Sequence, residues 1–213
     1  MATPSRRSWA PALAAAVAVE ALTARGSGRS FDERAYRRIN SGRGRPADEF
    51  FEGITELGSI WASAGAAAWL ARRGLRRREA LDAFGAAGAM WVVGQLAKRA
   101  VNRPRPYRAL EGVRLLIQRP RGTSWPSSHP AVLLTFLTVA GRDLGLGPGA
   151  RTAAAGLAGA VGYSRVYLGV HFPADVAGGL LLGRGVADAW SAFVSPLVLG
   201  RTPSGAPPGR VGR

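Results

Sequence analysis

The sequence contains no cysteine, and its 213 residues include only one lysine and two histidines. Without cysteine the chain can form neither a disulfide nor a thiolate metal site, and the sequence does not indicate whether the protein resides in an oxidising or a reducing compartment. Two histidines without a cluster of carboxylates beside them argue against a zinc site, so no metal or other cofactor is expected. Because the lysine and both histidines fall between or at the ends of predicted helices, we expect these three side chains to serve chemistry.

Acidic residues are scarce as well. The chain has 13 aspartates and glutamates against 29 lysines and arginines, which gives a formal net charge of +16 and a pI near 11.8. This excess indicates an anionic partner, which the composition leaves open as nucleic acid, a membrane surface or a phosphorylated substrate. The arginines scatter across loops and are not interleaved with aromatic residues, which disfavours nucleic acid. We therefore expect no nucleic-acid partner.

Long uninterrupted hydrophobic runs are also missing. The charge-free core of each apolar segment is about 12 to 15 residues long, below the roughly 20 of an ideal membrane span. Length alone favours the buried helices of a soluble protein, whereas arginine stems at helix ends can snorkel and lengthen the effective span. Trp61, Trp69, Trp91 and Trp190 suit anchors at a membrane interface. The hydropathy alone therefore leaves a membrane-spanning bundle and a soluble bundle about equally open.

The apolar segments predict an all-α protein, a bundle of about six helices with an active site at one end. Hydrophobic residues make up 47% of the chain, and runs typical of strands are short. The predicted helices cover residues 9–24, a short surface helix within 25–49, and then 50–71, 79–100, 129–140, 150–164 and 175–199.

We expect three parts along the chain: an N-terminal helix and basic amphipathic segment at 1–49, the helical bundle at 50–200, and a disordered Pro- and Gly-rich tail at 201–213. Residues 9–24 follow Arg6 and Arg7, as in a signal peptide, but Glu20 interrupts the apolar run and no convincing cleavage site follows. A first membrane or interfacial helix is therefore favoured, with a cleaved signal peptide as the alternative.

Three short clusters hold nearly all the scarce reactive residues. They are Lys98 with Arg103–Pro106, then Trp125–Pro130, and then Ser164–Arg165 with His171 and Asp175. If each helix runs once from one end of the bundle to the other, the first cluster lies at the end of one helix and the second at the start of the next. The third then lies in the connection between the following two helices. All three clusters therefore meet at the same end of the bundle, whether the bundle lies in lipid or in water.

Three cations, on Lys98, Arg105 and Arg165, would meet at this end, where packing them together is unfavourable unless an anion joins them. An arginine fork matches the oxygens of a phosphate. Residues 127–129 precede a helix, whose N–H groups and positive dipole end also bind anions. This set predicts a phosphate or oxyanion cradle that needs no metal.

The two histidines suit different roles in such a cradle. Asp175 lies four residues after His171, so it can accept from one ring nitrogen and leave the other with a nucleophilic lone pair. His129 has no carboxylate nearby and suits a general acid that protonates the leaving oxygen. Taken singly, each of these residues could be an ordinary cap or surface residue. Their combination at these spacings favours catalysis.

The three clusters together resemble the type 2 phosphatidic acid phosphatase superfamily, which also contains vanadium haloperoxidases and bacterial acid phosphatases. Its first signature is similar to Lys98 followed, after six residues, by Arg105-Pro106. Its Pro-Ser-Gly-His signature is similar to Pro126-Ser127-Ser128-His129. The third signature is matched in every fixed position by a similar pattern here: Ser164-Arg165, then His171 after five residues, then Asp175 after three more. The resemblance covers about residues 50–195 and favours the small bacterial membrane lipid phosphatases over the haloperoxidases.

The resemblance implies a helical-bundle phosphatase that works through a phosphohistidine. It implies that His171 is the nucleophile, that Asp175 orients it and that His129 protonates the leaving group. The residues implied in binding the phosphoryl oxygens are Lys98, Arg105, Ser127, Ser128 through its backbone N–H, and Arg165. The implied substrate is a lipid phosphate or diphosphate, such as phosphatidic acid or a polyprenyl carrier. The predicted location is integral and multi-pass in a bacterial-type cell membrane, with the active site on the extracytoplasmic face. The arginines leave the face open, because segment 25–45 at the cluster end is as basic as the loop 72–78 at the other end.

One position departs from the family pattern, because Ser128 stands where the second signature has glycine. A serine would be strained there if the position needs a positive φ or a very close backbone approach. Its backbone N–H survives the change, so we expect activity to be retained.

Two other functions stay open on the sequence. One is a soluble or exported acid phosphatase of the same superfamily that acts on small phosphomonoesters, which the weak hydropathy supports. The other is a basic membrane- or nucleic-acid-binding protein without catalysis, which the arginine content supports.

Overall fold

Helices account for all the regular secondary structure of the described residues. The computed structural model describes residues 9–72 and 76–200. Its helices are α1 (Trp9–Thr23), α2 (Gly26–Ile39), α3 (Arg45–Thr55), α4 (Ile60–Arg72), α5 (Arg77–Val101), α6 (Pro106–Ala109), α7 (Ser128–Asp143), α8 (Pro148–Tyr167), α9 (Pro173–Phe193) and α10 (Ser195–Val198). The all-α prediction is confirmed. The predicted disordered tail at 201–213 and the basic start at 6–7 lie outside the described residues.

The helix ends that matter for the site follow from local sequence. Pro148 and Pro173 stand in the first turns of α8 and α9, where the missing N–H has no helical partner to lose. α5 ends at Asn102, whose left-handed φ of 50° lets its N–H bond to the carbonyl of Lys98 at 3.1 Å. This cap turns the chain sharply just after Lys98 and before Arg103.

The predicted continuous helix over 50–71 was wrong, because the chain breaks between α3 and α4. A 3-10 turn, Glu56–Gly58, joins the two helices. Gly58 packs directly on His129, and a Cβ at Gly58 would lie 2.7 Å from the Cβ of His129. Ser59 restarts the helix, since its Oγ accepts a hydrogen bond from the N–H of Ala62 at 3.0 Å. The break therefore brings the backbone close to one of the predicted site residues.

The predicted helix over 175–199 is also divided, at Val194, into α9 and α10. Pro196 explains the break, because a proline cannot donate to the helical ladder and its ring clashes with the carbonyl four residues before it.

The core lies where α5, α7 and α9 pack together. Alanine and methionine on α5 meet larger side chains of α7 in one buried cluster, which includes Ala80, Ala83, Ala86, Ala87, Met90, Val132, Phe136 and Val139. Glycines bring α9 close to the backbone of α7: a Cβ at Gly183 would lie 2.6 Å from the carbonyl oxygen of Ala131. Small residues thus allow the helix ends near residues 127–131 and 175–183 to approach closely.

The apolar surface agrees in part with a membrane environment. Across the described ranges, the stretch Arg77–Ala109 is the one segment long and apolar enough to cross a membrane, and α1 is a shorter apolar helix. Large apolar side chains are exposed on α4 and α5, among them Trp61, Trp91 and Leu96. Multi-pass insertion stays a prediction.

The N-terminal helices pack on the bundle. Leu13 of α1 contacts the position of Gly185 on α9, and Ala16 of α1 belongs to the buried core. The predicted boundary between residues 49 and 50 falls inside α3. The division of the chain into an N-terminal segment and a bundle stays a prediction.

We expect Gly183→Ala to destabilise the protein by about 1–3 kcal/mol, because the added methyl group would push α9 away from α7. Gly156→Ala, on the exposed face of α8 with open space around the added Cβ, is the matched control. It should stabilise by up to about 1 kcal/mol through helix propensity alone. Thermal unfolding in detergent would measure both; equal effects of the two substitutions would contradict the close contact of α7 with α9.

Candidate active site

The three sequence clusters meet at one end of the bundle around a cavity of about 550 Å³. The predicted site residues that line it are Lys98, Arg105, Ser128, His129, Arg165 and His171. Ser127 and Asp175 are fully buried beside it. The structure therefore brings all eight predicted residues to one place, as the topology argument predicted.

His171 is held between a carboxylate and a cation in the short connection from α8 to α9. Its Nδ1 lies 3.4 Å from Oδ2 of Asp175, within ion-pair range though longer than a usual hydrogen bond. Its Nε2 lies 3.2 Å from Nη1 of Arg105. Because a guanidinium can only donate, Nε2 faces it as an acceptor with a lone pair. The proton then belongs on Nδ1, on the side of Asp175.

The electrostatic surroundings keep the ring of His171 neutral. Burial comes first, and the positive charges of Arg105, Lys98 and Arg165 add to it; together they hold the pKa of His171 well below its usual value. A neutral imidazole with a lone pair on Nε2 is the form that can attack phosphorus.

Asp175 is fixed from three directions. Its Oδ2 accepts from the hydroxyl of Ser124 and, at 2.8 Å, from the N–H of Phe172; its Oδ1 accepts from Nη1 of Arg103 at 2.9 Å. The aspartate is 0% exposed. Its orientation is therefore set by the protein and not by water.

Sequence reasoning assigned no role to Arg103 or Ser124. Arg103 stands in a repeated Arg-Pro dipeptide, and this repetition was the signal that could have marked it. Ser124 has no comparable signal, because one serine before a tryptophan is unremarkable in any loop.

Lys98 lies at the cavity with its donors directed at the backbone. Its Nζ donates to the carbonyls of Thr123, Ser124 and Pro126 at 3.1, 3.3 and 2.7 Å. An ammonium has three donors, so all of them are engaged. In this arrangement Lys98 holds the loop before α7 in place, and its contact with a phosphoryl group stays a prediction.

The two arginines of the cradle are buried with few partners. Arg165 is 4% exposed and donates from Nη1 to Oγ1 of Thr55 at 3.1 Å, while its Nε has no hydrogen-bond partner among the described residues. Arg105 donates from Nη1 to the carbonyl of Val170 at 3.0 Å and from Nε to Gly122 at 3.3 Å. Buried donors without acceptors are unfavourable, so this end of the bundle is suited to receive an anion.

The start of α7 adds hydroxyls and a helix N-terminus. The Oγ atoms of Ser127 and Ser128 are buried, and neither finds a hydrogen-bond partner in the part of the chain described. The strain considered for serine at 128 does not arise, because Asn102 is the only described residue other than glycine with a positive φ. Gly94 of α5 provides the room, since a Cβ there would lie 3.2 Å from Oγ of Ser128.

His129 packs against Gly58 and lines the same cavity as Arg165 and His171. No described carboxylate lies within ion-pair distance of its ring. Its position agrees with the predicted role at the leaving oxygen, which stays a prediction. Within the described ranges, no group of three or more acidic, histidine or cysteine side chains is arranged to hold a metal ion.

Two histidines, three basic side chains and a helix N-terminus meet around one cavity at the end of an all-helical bundle, an arrangement suited to an oxyanion. The family model of the PAP2 superfamily matches residues 79–198, and the chain belongs to this superfamily. The family resemblance inferred from the three signatures is confirmed.

Individual relatives agree with this membership. The crystal structure of LpxE from Aquifex aeolicus is 30% identical and superposes with a TM-score of 0.63 over 76% of this chain and 92% of that chain. A transmembrane PAP2 type phosphatidylglycerolphosphate phosphatase from Bacillus subtilis, 24% identical, has the same fold with a TM-score of 0.69 over 90% of this chain and 94% of that chain. An undecaprenyl-diphosphatase from Sulfolobus acidocaldarius is 32% identical over 49% of this chain and 47% of its own length. The chain thus spans about half the length of the curated relatives that it matches.

The lowered pKa of His171 predicts a ring that stays neutral at pH 6, where an ordinary histidine is already largely protonated. In the unfolded chain His171 takes up its proton near pH 6.5, whereas in the folded chain it does not. Its contribution to stability is therefore complete above about pH 6.5 and declines as the pH falls below that value.

Ring-nitrogen NMR in phosphate-free detergent solution would measure this titration directly, since the chain has only two histidines. His129→Ala assigns the remaining signal to His171. A His171 signal that titrates near pH 6.5 in the folded protein would show that the buried cations do not act on the ring.

Proposed function

We propose that this chain is a membrane phosphatase that hydrolyses a lipid phosphate or diphosphate through a phosphohistidine on His171, without a metal. The observation that supports this most directly is the placement of His171. Its Nε2 faces Arg105 at the cavity, and Asp175 stands behind its Nδ1. A nucleophile, a residue that orients it and cations for the transferred group lie within one site.

In the first step, Nε2 of His171 attacks phosphorus, and the bond from phosphorus to the lipid oxygen breaks. The entering phosphate brings a proton into the cavity, and His129 passes that proton to the leaving oxygen, so the lipid leaves as an alcohol, or as a monophosphate if the substrate is a diphosphate. Arg105 shifts its hydrogen bond from Nε2 to a phosphoryl oxygen. Together with Arg165 and the hydroxyls of residues 127 and 128, it stabilises the charge on the transferred group.

In the second step, water attacks the phosphohistidine. His129, now neutral, takes a proton from that water, and the bond between Nε2 and phosphorus breaks to release inorganic phosphate. Asp175 holds the Nδ1 proton throughout and stabilises the positive ring that forms during both steps. Positive charge for the reaction comes from the arginines, and we therefore expect activity in the presence of a chelator.

A lipid substrate fits the apolar rim of the cavity. Trp61 on α4 and Trp91 on α5 line it and are 81% and 45% exposed. Tryptophan suits the boundary between headgroups and acyl chains, so a phosphate in the cavity would leave its lipid chain beside these rings. Relatives whose names specify undecaprenyl diphosphate and phosphatidylglycerolphosphate support a lipid substrate.

We also propose that the bundle is integral and multi-pass, with the active site on the extracytoplasmic face. Arg76, Arg77 and Arg78 stand at the opposite end of the bundle from the cavity, at the start of α5. Short basic segments of this kind remain preferentially in the cytoplasm. Residues 25–45 at the cavity end are equally basic, so the arginines do not assign the face, and labelling has to decide it.

The function is tested by phosphate release from phosphatidic acid, a prenyl diphosphate and nitrophenyl phosphate, in detergent with EDTA. His171→Ala should abolish release from all three, because His171 is the described lining side chain with a carboxylate, Asp175, placed to orient it as a nucleophile. His129→Ala should slow release by about 100-fold or more from the lipids and much less from nitrophenyl phosphate, whose leaving group needs no proton.

Each outcome decides a separate part of the proposal. Full activity of His171→Ala would contradict the phosphohistidine intermediate. Equal losses of activity for all substrates with His129→Ala would contradict the role of His129 as general acid. Release only from the nitrophenyl ester would favour the soluble acid phosphatase. Activity that disappears in EDTA and returns with added divalent metal would contradict the metal-free step.

The membrane orientation can be tested cleanly because the chain has no cysteine. Glu111→Cys places one thiol on the exposed loop at the cavity end, and Arg76→Cys places one at the opposite end. In intact cells a membrane-impermeant maleimide should label only the Glu111→Cys variant, and permeabilised cells should show both. The reverse pattern would place the active site in the cytoplasm.

A further inference from the structure

Arg103 joins three acidic side chains at the back of the active site. Its Nη1 donates to Asp175 at 2.9 Å and lies 3.4 Å from Glu20, and its Nη2 donates to Asp32 at 2.6 Å. The side chains of this group are nearly inaccessible to solvent, with Arg103 9% exposed and Asp32 3% exposed. Phe172 covers the guanidinium, with its ring centre 4.7 Å from Cζ.

Two of these acids come from the N-terminal helices. Glu20 belongs to α1 and Asp32 to α2, and both precede the segment 79–198 that matches the family model. Asp32 also accepts, through Oδ1, from the N–H of Ala174 at 2.9 Å. α2 is therefore bonded both to Arg103 and to the residue next to Asp175 in the chain.

The contacts divide the two oxygens of Asp175 between different tasks. Arg103 binds Oδ1, while Oδ2 faces Nδ1 of His171 and accepts from Ser124 and Phe172. The terminal torsion of an aspartate is soft, so a carboxylate keeps one orientation only when both oxygens are bound. Without Arg103 on Oδ1, the carboxylate could turn and Oδ2 would leave its position 3.4 Å from Nδ1 of His171.

Arg103 in turn needs its other partners. One guanidinium bonded to Asp175 alone could pivot, whereas contact with Asp32 on a second nitrogen fixes the plane of the fork. Asp32 and Glu20 thus act on Asp175 through one shared cation, and Asp175 acts on His171.

We propose that α1 and α2 form part of the catalytic apparatus, with Asp32 and Glu20 as positioning residues that hold Arg103 against Asp175 and so orient His171. This inference rests on the phosphohistidine function proposed above. A role in folding alone would predict lower stability with normal turnover in the protein that remains folded. A positioning role predicts a loss of kcat while the affinity of the cradle for an oxyanion is kept.

The test compares Asp32→Asn with Glu33→Gln, its neighbour on α2. Glu33 pairs with Arg29 at 2.8 Å on the surface, so its substitution removes the same charge outside the network. In Asp32→Asn, the side-chain oxygen can still accept from Ala174, but the charged partner of Arg103 is lost. We expect kcat to fall about tenfold or more, as for other residues that orient a catalytic group from behind. KM and the inhibition constant of vanadate should stay within about twofold of wild type.

A double variant tests whether Asp32 acts through Arg103. If it does, Arg103→Gln/Asp32→Asn should be no slower than Arg103→Gln alone, because Arg103→Gln already removes the guanidinium that links Asp32 to Asp175. Independent effects would instead multiply. Glu20→Gln, whose contact with Arg103 is longer, should give a smaller loss of kcat than Asp32→Asn.

The outcomes separate this inference from the proposed function. An inactive wild type, or an active His171→Ala, would overturn the function and the inference with it. If His171→Ala is inactive but Asp32→Asn matches Glu33→Gln in kcat, only the positioning role is overturned. A parallel weakening of vanadate inhibition, or multiplying losses in the double variant, would overturn it as well. If Asp32→Asn does not yield folded protein, kcat and vanadate inhibition of Glu20→Gln decide by the same criteria.

Discussion

The structure at this end of the bundle depends on the concentration of positive charge around a neutral histidine. Lys98, Arg105 and Arg165 lie at one cavity, and among the described residues no carboxylate lines it beside them. Such a cluster is unfavourable by itself, because like charges repel and burial removes their hydration. The protein sustains it through backbone carbonyls, which accept from Lys98 and Arg105, and through Asp175 behind His171. A phosphate bound in the cavity, as proposed, would balance the positive charge that the fold leaves uncompensated.

Close packing of small residues places these charges. Gly183 brings α9 onto the backbone of α7, and Gly58 brings the turn between α3 and α4 onto His129. Gly94 makes room for Ser128 at the start of α7. Each glycine thus lets one element approach another at the end where the chemistry is placed. The many glycines of the chain therefore help to set how close the site residues come to one another.

Much of the fold and the composition of the site could be predicted from the sequence. Apolar segments gave the helices, and the order of the clusters placed Lys98, His129 and His171 at one end, because helix direction follows from chain order alone. The break at Gly58 could not be predicted, since it depends on contact with His129, which is distant in sequence. The partners of Arg103 were equally hidden: Asp32 and Glu20 look like surface charges until α1 and α2 pack on α9.

The three backbone hydrogen bonds of Lys98 limit how much binding free energy a phosphate could gain from this side chain. Its ammonium sits among three carbonyls of one loop, much as a potassium ion sits in a ring of carbonyl oxygens. A phosphoryl oxygen that reaches Lys98 must replace one of these carbonyls. The free energy gained is then the difference between the new hydrogen bond and the one that is lost. The displaced carbonyl belongs to the loop that leads into Ser127. If a phosphate does reach Lys98, its binding would be an exchange of acceptors that releases one hydrogen bond of the segment before Ser127.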